Sequence, residues 1–396
     1  GAWLITIGVY WFENRKWGGA DFGAVFSTLG IASVFMPALF GIVADKWVNA
    51  EKLYGILHIL SGIAIFSLSK VNDPGTFFWI MLVAMTFYMP TIALSNSVAY
   101  NALKSKGFDV IKVFPPIRVW GTIGFIVAMW ITNLTGNKAT EVQFYLSTVF
   151  SLILGVYSFT LPACPPPLKG NKEINLVDSL GLKAFKLFAN YKMALFFIFS
   201  MFLGAALQLT NMYGDTFLDD FKNIPQYAES FVVRYSTIIM SISQISETLF
   251  ILAIPFFLKK FGIKNVMLMS MVAWVLRFAL FGFGNPDDGL WMLILSMVVY
   301  GMAFDFFNIS GSLFIETTTD TSIRSSAQGL FMMMTNGFGV MIGSFASGVI
   351  IDKYFMVDGM KNWEGIWFTF AAYAAVIAIL FAILFKHKHE KQTVSE

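Results

Sequence analysis

Along this chain, long apolar runs alternate with short clusters of Gly, Pro, Asn and charged residues. The runs fall at roughly 1–12, 21–43, 52–69, 76–103, 115–134, 142–161, 192–218, 232–257, 264–283, 290–315, 325–350 and 364–385. Most approach the ~20 residues that an α-helix needs to cross about 30 Å of hydrocarbon. The pattern therefore predicts an all-α membrane protein of about twelve spans. The first run, GAWLITIGVYWF, is about half a span long and opens without Met. It is expected to be a truncated first helix, with no cleavable signal peptide ahead of the fold.

The longest polar break follows the sixth run and begins with Pro165, Pro166 and Pro167. It predicts a six-helix half over 1–161, a linker over 162–191, a second six-helix half over 192–385, and a tail over 386–396. Within the linker, VDSLGLKAFKLFANY brings Leu180, Leu182, Phe185 and Leu187 on or near one face, as in an amphipathic surface helix. A weak internal repeat supports two halves: FGIVADKW around Gly41–Lys46 matches IPFFLKKFG around Pro255–Lys260, and IRVWGTIGF at Arg118 matches IRSSAQGLF at Arg324. If the first run points outward, one side of the membrane holds seventeen Lys and Arg and the other eight. By the positive-inside rule both termini are then cytoplasmic.

Composition agrees with this class. Apolar residues make up 57% of the 396 residues and charged residues 13%, about half the charge of a soluble domain. The net charge of +3 follows the loop bias and does not indicate a nucleic-acid partner. Cys164 is the single cysteine, so no internal disulfide can form.

Polar groups at membrane depth carry the chemistry, because a charge there is costly unless it faces a partner or a cavity. In the eighth run, MSISQISETLF places Gln244 and Glu247 three residues apart on one helical face. In the tenth, VVYGMAFDFFNISGS places Asp305 near mid-span beside Tyr300 and Phe304. A buried carboxyl is suited to carry a proton, since burial penalises its charged form. The aromatics suit a planar ligand, although Phe and Tyr serve equally as packing. In the seventh run Gln208 and Asn211 share a face, with Asp215 further on; two carboxamides suit a hydroxyl-rich ligand, and helix-to-helix hydrogen bonding is the plainer reading. The fifth run is expected to begin after Phe114, Pro115 and Pro116. It carries Arg118, Thr122 and Phe125 at i, i+4 and i+7, where Arg118 either contacts ligand or snorkels at the end of the span.

No catalytic or metal motif is present. There is no P-loop, HExxH or Cys cluster; His58 is a lone imidazole in the third run, and His387 and His389 belong to a basic tail. A membrane enzyme is disfavoured, and no cofactor is expected.

The segments FMPALFGIVADKW, FPPIRVWGTIGF, IIMSISQISETLFI, IPFFLKKFGIKNVM, AFDFFNISGS and SSAQGLFMMMTNGFG resemble those of the bacterial nucleoside:proton symporter family within the major facilitator superfamily. The resemblance runs from Gly1 to the tail, although Gly41–Lys46 lacks the basic residues that usually follow in the superfamily signature. It implies a twelve-helix major facilitator fold of two pseudo-symmetric halves in the inner membrane, monomeric, with a central cavity between the halves. It implies uptake of purine and pyrimidine nucleosides with protons by alternating access. Arg118, Thr122 and Phe125 would face the nucleobase. Gln208, Asn211, Gln244 and Glu247 would bind base and ribose, and Tyr300, Phe304 and Asp305 would complete the pocket. Glu247 or Asp305 would carry the coupled proton. A carrier of sugars or other hydroxylated solutes, and a membrane sensor that binds nucleoside without moving it, are the alternatives.

Overall fold

The computed structural model describes residues 1–166, 182–320 and 323–387. It is almost wholly helical: α1 (Ile7–Val9), α2 (Gly19–Lys46), α3 (Ala50–Leu68), α4 (Pro74–Ser105), α5 (Val110–Leu134), α6 (Val142–Ser158), α7 (Tyr191–Asp220), α8 (Phe231–Arg234), α9 (Ser236–Phe283), α10 (Leu290–Thr318), α11 (Arg324–Met332), α12 (Val340–Tyr354) and α13 (Trp363–Leu384). The exceptions among the described residues are short π and 3-10 turns and a two-stranded antiparallel hairpin, β1 (Met356–Val357) with β2 (Met360–Lys361). Among the described residues, nine helices are long and apolar enough to cross a membrane.

Those nine and the twelve apolar runs are compatible. At 48 residues α9 would be about 72 Å long if straight, twice what one crossing needs. It breaks at Gly262, whose φ of 76° and ψ of 167° lie where essentially only glycine is found. The helix thus has two legs, 236–261 and 263–283. The polar break expected between the eighth and ninth runs is replaced by this single residue, because glycine turns the chain without spending further backbone. The short apolar α6 and the N-terminal turns account for the remaining runs.

Three other expectations are corrected. Helix α5 starts at Val110, before the two prolines. Pro115 and Pro116 lie within its first two turns, so only two intrahelical bonds are forfeited. The eleventh run is α11 and α12 joined by a π-helical segment, Met333–Gly339. The first run carries a π turn, Tyr10–Asn14, where Trp11 Nε1 donates to the Gly18 carbonyl at 2.9 Å and Arg15 Nε to the Tyr10 hydroxyl at 2.5 Å. Of the amphipathic linker helix, the described part is the 3-10 stretch Leu182–Ala189; Leu180 lies outside the described residues.

The chain divides into two compact units, residues 1–182 with 336–349, and residues 183–335 with 350–396. In the first, α4 packs along α2 and α3, and α6 along α3. Buried hydroxyls tie these helices: Ser61 Oγ donates to the Ala84 carbonyl and Thr148 Oγ1 to the Gly62 carbonyl, each at 3.1 Å. His58 is buried without a hydrogen-bond partner among the described residues, and its ring meets Tyr54 edge-on at 4.6 Å, consistent with a packing role. Asp73 caps α4 by accepting from the Thr76 amide at 2.8 Å, which holds its carboxyl below the usual value.

In the second unit α10 lies against both legs of α9. Phe257 meets Phe306 at 4.8 Å and Ser243 Oγ lies 3.3 Å from Met297 Sδ, so the first leg runs parallel to α10. Arg277 with Ser296, and Ser270 with Ala303, set the second leg antiparallel. Helix α13 packs on α9 through an aromatic cluster of Phe217, Phe278, Phe281, Trp363 and Trp367.

Gly262→Ala is expected to destabilise the protein by about 1–3 kcal/mol, because alanine does not tolerate that backbone conformation. Thermal unfolding in detergent, read beside a Gly41→Ala control whose Cβ would meet open space, checks this.

Candidate functional site

Polar groups of α9 and α10 gather about a close approach of the two helices. At Gly301 a Cβ would lie 2.6 Å from the Ser246 carbonyl carbon and oxygen, so glycine is what lets the two backbones meet. Ser246 Oγ donates across this contact to the Val298 carbonyl, and Ser296 Oγ donates to the Arg277 carbonyl at 2.9 Å. Such close approach with hydroxyl-to-carbonyl bonds holds helices together in a lipid environment, where apolar surfaces gain little by meeting.

This contact brings together Gln244, Glu247, Tyr300, Phe304 and Asp305. The Tyr300 side chain is hydrogen-bonded with Gln244, and Glu247 and Asp305 both act on it electrostatically as well as on each other. The Tyr300 and Phe304 rings stack with centroids 6.0 Å apart and planes 10° from parallel. Asp305 is buried, and its Oδ2 has no hydrogen-bond partner among the described residues. The arrangement joins an aromatic surface to two carboxyls and a carboxamide at mid-span, which suits a planar, polar, uncharged solute and a proton.

One member was not singled out from sequence. Arg277 is 1% exposed in the second leg of α9, and its guanidinium lies 4.7 Å from the centre of the Tyr300 ring. Nη1 donates to the Ser296 carbonyl at 2.5 Å and Nη2 to Ser243 Oγ at 3.4 Å. Trp274 meets Tyr300 edge-on at 6.0 Å. Arg277 and Trp274 thus hold Tyr300 in place while Gln244 and Phe304 engage it too. An arginine inside an apolar run is the signal that could have found it; its neighbour on α10 is a matter of tertiary structure.

On α7, Gln208 is buried and its Nε2 has no hydrogen-bond partner among the described residues, and Asn211, a turn later, is half-buried. Asp215 accepts from Thr237 Oγ1 at 2.9 Å and so ties α7 to α9. Arg118, Thr122 and Phe125 belong to α5 in the first unit; Arg118 is exposed and the other two half-buried. Among the described residues no three His, Cys, Asp or Glu side chains are grouped to hold a metal.

Residues 1–390 match the family model described as nucleoside H+ symporter. The chain is 51% identical to the nucleoside permease NupG of Escherichia coli K12 over 401 residues, covering all of this chain and 96% of that protein. It is also 51% identical to the xanthosine permease of the same organism, covering all of this chain and 94% of that one. The crystal structure of the nucleoside transporter NupG superposes with a TM-score of 0.91, covering 98% of this chain and 95% of that one. A D-xylose-proton symporter, 12% identical, shares the fold with a TM-score of 0.70 over 97% of this chain and 92% of that one.

Two substitutions test the cluster. Gly301→Val is expected to cost about 1–3 kcal/mol by forcing α9 and α10 apart. Arg277→Met is expected to lower the melting temperature and Arg277→Lys to recover only part of it, since an ammonium keeps the charge but loses the two-pronged donor geometry. Thermal unfolding in detergent reads both.

Proposed function

The chain belongs to the nucleoside H+ symporter family, and from that membership we propose that it carries purine and pyrimidine nucleosides, uridine among them, into the cell together with protons. The observation that carries this reading is the end-to-end match over residues 1–390. It is a carrier and not an enzyme; its relatives are permeases. The protein acts as a monomer in the bacterial inner membrane with both termini cytoplasmic, built as halves 1–161 and 192–385 joined by the linker 162–191, with the tail 386–396.

Tyr300 and Phe304 stack on the base, and Gln208, Asn211, Gln244 and Glu247 hydrogen-bond base and ribose. Arg118, Thr122 and Phe125 contribute on the nucleobase side. A carboxamide both donates and accepts, so it serves the varied edges of different bases and the ribose hydroxyls alike. The proton is carried by Glu247 or Asp305. With both carboxyls ionised, Arg277, Glu247 and Asp305 sum to one net negative charge. A single proton brings the cluster to neutrality, the state that binds an uncharged nucleoside and crosses at least cost. Alternating access then exposes the loaded cluster to the cytoplasm.

At one proton per nucleoside, each pH unit of inward gradient supplies about 1.4 kcal/mol, enough for tenfold accumulation. Radiolabelled uridine uptake into proteoliposomes should therefore rise as external pH falls at constant internal pH. Asp305→Asn and Glu247→Gln, made separately, identify the carrier of the proton: one of them should abolish gradient-driven accumulation. Accumulation that remained proton-dependent in both would overturn the assignment. Binding without flux would indicate a sensor, and competition by free sugars in place of nucleosides would indicate a sugar carrier.

A further inference from the structure

Where α7 begins and α13 ends, outside the cluster just described, a groove of about 420 Å³ opens between the two helices. Tyr191, Lys192 and Leu195 line it from α7, and Ile383, Leu384 and Lys386 from α13 and its exit. Its lining combines two cations, Lys192 and Lys386, with three aliphatic side chains and a tyrosine. Ile383 is 63% exposed and Tyr191 67%; a tyrosine at a helix end, with apolar ring and polar tip, marks the membrane-to-water boundary.

The cationic end is built. Lys192 Nζ lies 2.7 Å from His387 Nδ1 and 5.3 Å from the centre of the Phe314 ring, while His387 meets Phe314 edge-on at 5.4 Å. An ammonium has three donors, and among the described residues one of those of Lys192 is engaged by His387, which leaves two for an incoming group. None of the lining residues is acidic. Glu316, two residues beyond Phe314, is already paired with Arg324 at 2.7 Å. Just before Tyr191, the 3-10 stretch Leu182–Ala189 places Phe185 and Phe188 in a stack, with Phe188 against Phe197 of α7. That apolar stretch runs directly into Tyr191, one of the lining residues, as an interfacial segment leading into a span would.

We propose that this groove is a binding site for an anionic phospholipid. The headgroup phosphate is held by Lys192 and Lys386, and the acyl chains lie along Leu195 and Ile383. Basic recesses between helix ends on the positive side of a membrane protein are suited to such headgroups. The apolar walls distinguish this occupant from a soluble phosphate ester, which would gain nothing from them. The site is separate from the α9–α10 cluster and does not depend on the transport reading.

The test uses the full chain, purified in detergent and titrated with phosphatidylglycerol or phosphatidylethanolamine, with bound lipid counted by native mass spectrometry. The expected result is preferential retention of phosphatidylglycerol. Lys192→Gln with Lys386→Gln should reduce that preference by on the order of fivefold per lysine. Lys386→Glu alone, at an exposed position, should also reduce it and serves where the double variant fails to fold. Lys70→Gln, between α3 and α4, should leave it unchanged. Equal retention of the two lipids, or a preference unaltered in folded variants, would overturn the proposal. So would displacement of the lipid by millimolar inorganic phosphate alone, which would mark a site for free anions.

Discussion

The second unit depends on the closeness of two backbones. In a bilayer the lipid is as apolar as the side chains, so helices associate through tight packing and through polar bonds that have no better partner. The α9–α10 seam uses both: Gly301 removes the one Cβ that would separate the backbones, and serine hydroxyls from each helix donate to carbonyls of the other. Each such bond is worth only about 0.6 kcal/mol on average. The benefit is positional, since a displacement of one ångström at Gly301 would move Tyr300 relative to Gln244 and Glu247.

The electrostatics follow from that geometry. A charged side chain at mid-span costs about 2.5–3.5 kcal/mol on insertion scales, and α9 and α10 together hold three. Arg277 lies against the Tyr300 ring and both carboxyls act on the same tyrosine, so the cation and the two acids share one neighbour, while Glu247 and Asp305 repel one another when both are ionised. Tyr300 is therefore the residue on which the fixed cation and both titratable acids converge. A substitution at any of the four is expected to be felt by the other three.

Much of this was legible in sequence because the physics was local. Runs of about twenty apolar residues mark spans wherever they fall, and Glu247 and Asp305 stand out because acids are rare at such depth. The residues gathered at Tyr300 could be named from their own helices. Arg277 also interrupts an apolar run, but its meaning depends on lying across from Ser296 and Tyr300, a relation between helices that no periodicity encodes. Pro115 and Pro116 misled for the opposite reason. Their local preference argues for a helix start, whereas near the beginning of α5 the cost of ignoring it is two hydrogen bonds. The π segment at Met333–Gly339 left no local trace, since MMTNGFG has the composition of an ordinary packed helix.

The break at Gly262 has a consequence for biosynthesis. Two spans joined by one residue have no slack with which one could wait in water while the other settles in lipid. The legs of α9 must enter the bilayer as a hairpin, in one step. Glu247 on the first leg and Arg277 on the second are then both borne by a single insertion event, offset by the apolar remainder of both legs. Neither span has to be inserted on its own merits, which is how a hydrophobic pair can deliver two charges to the middle of a membrane.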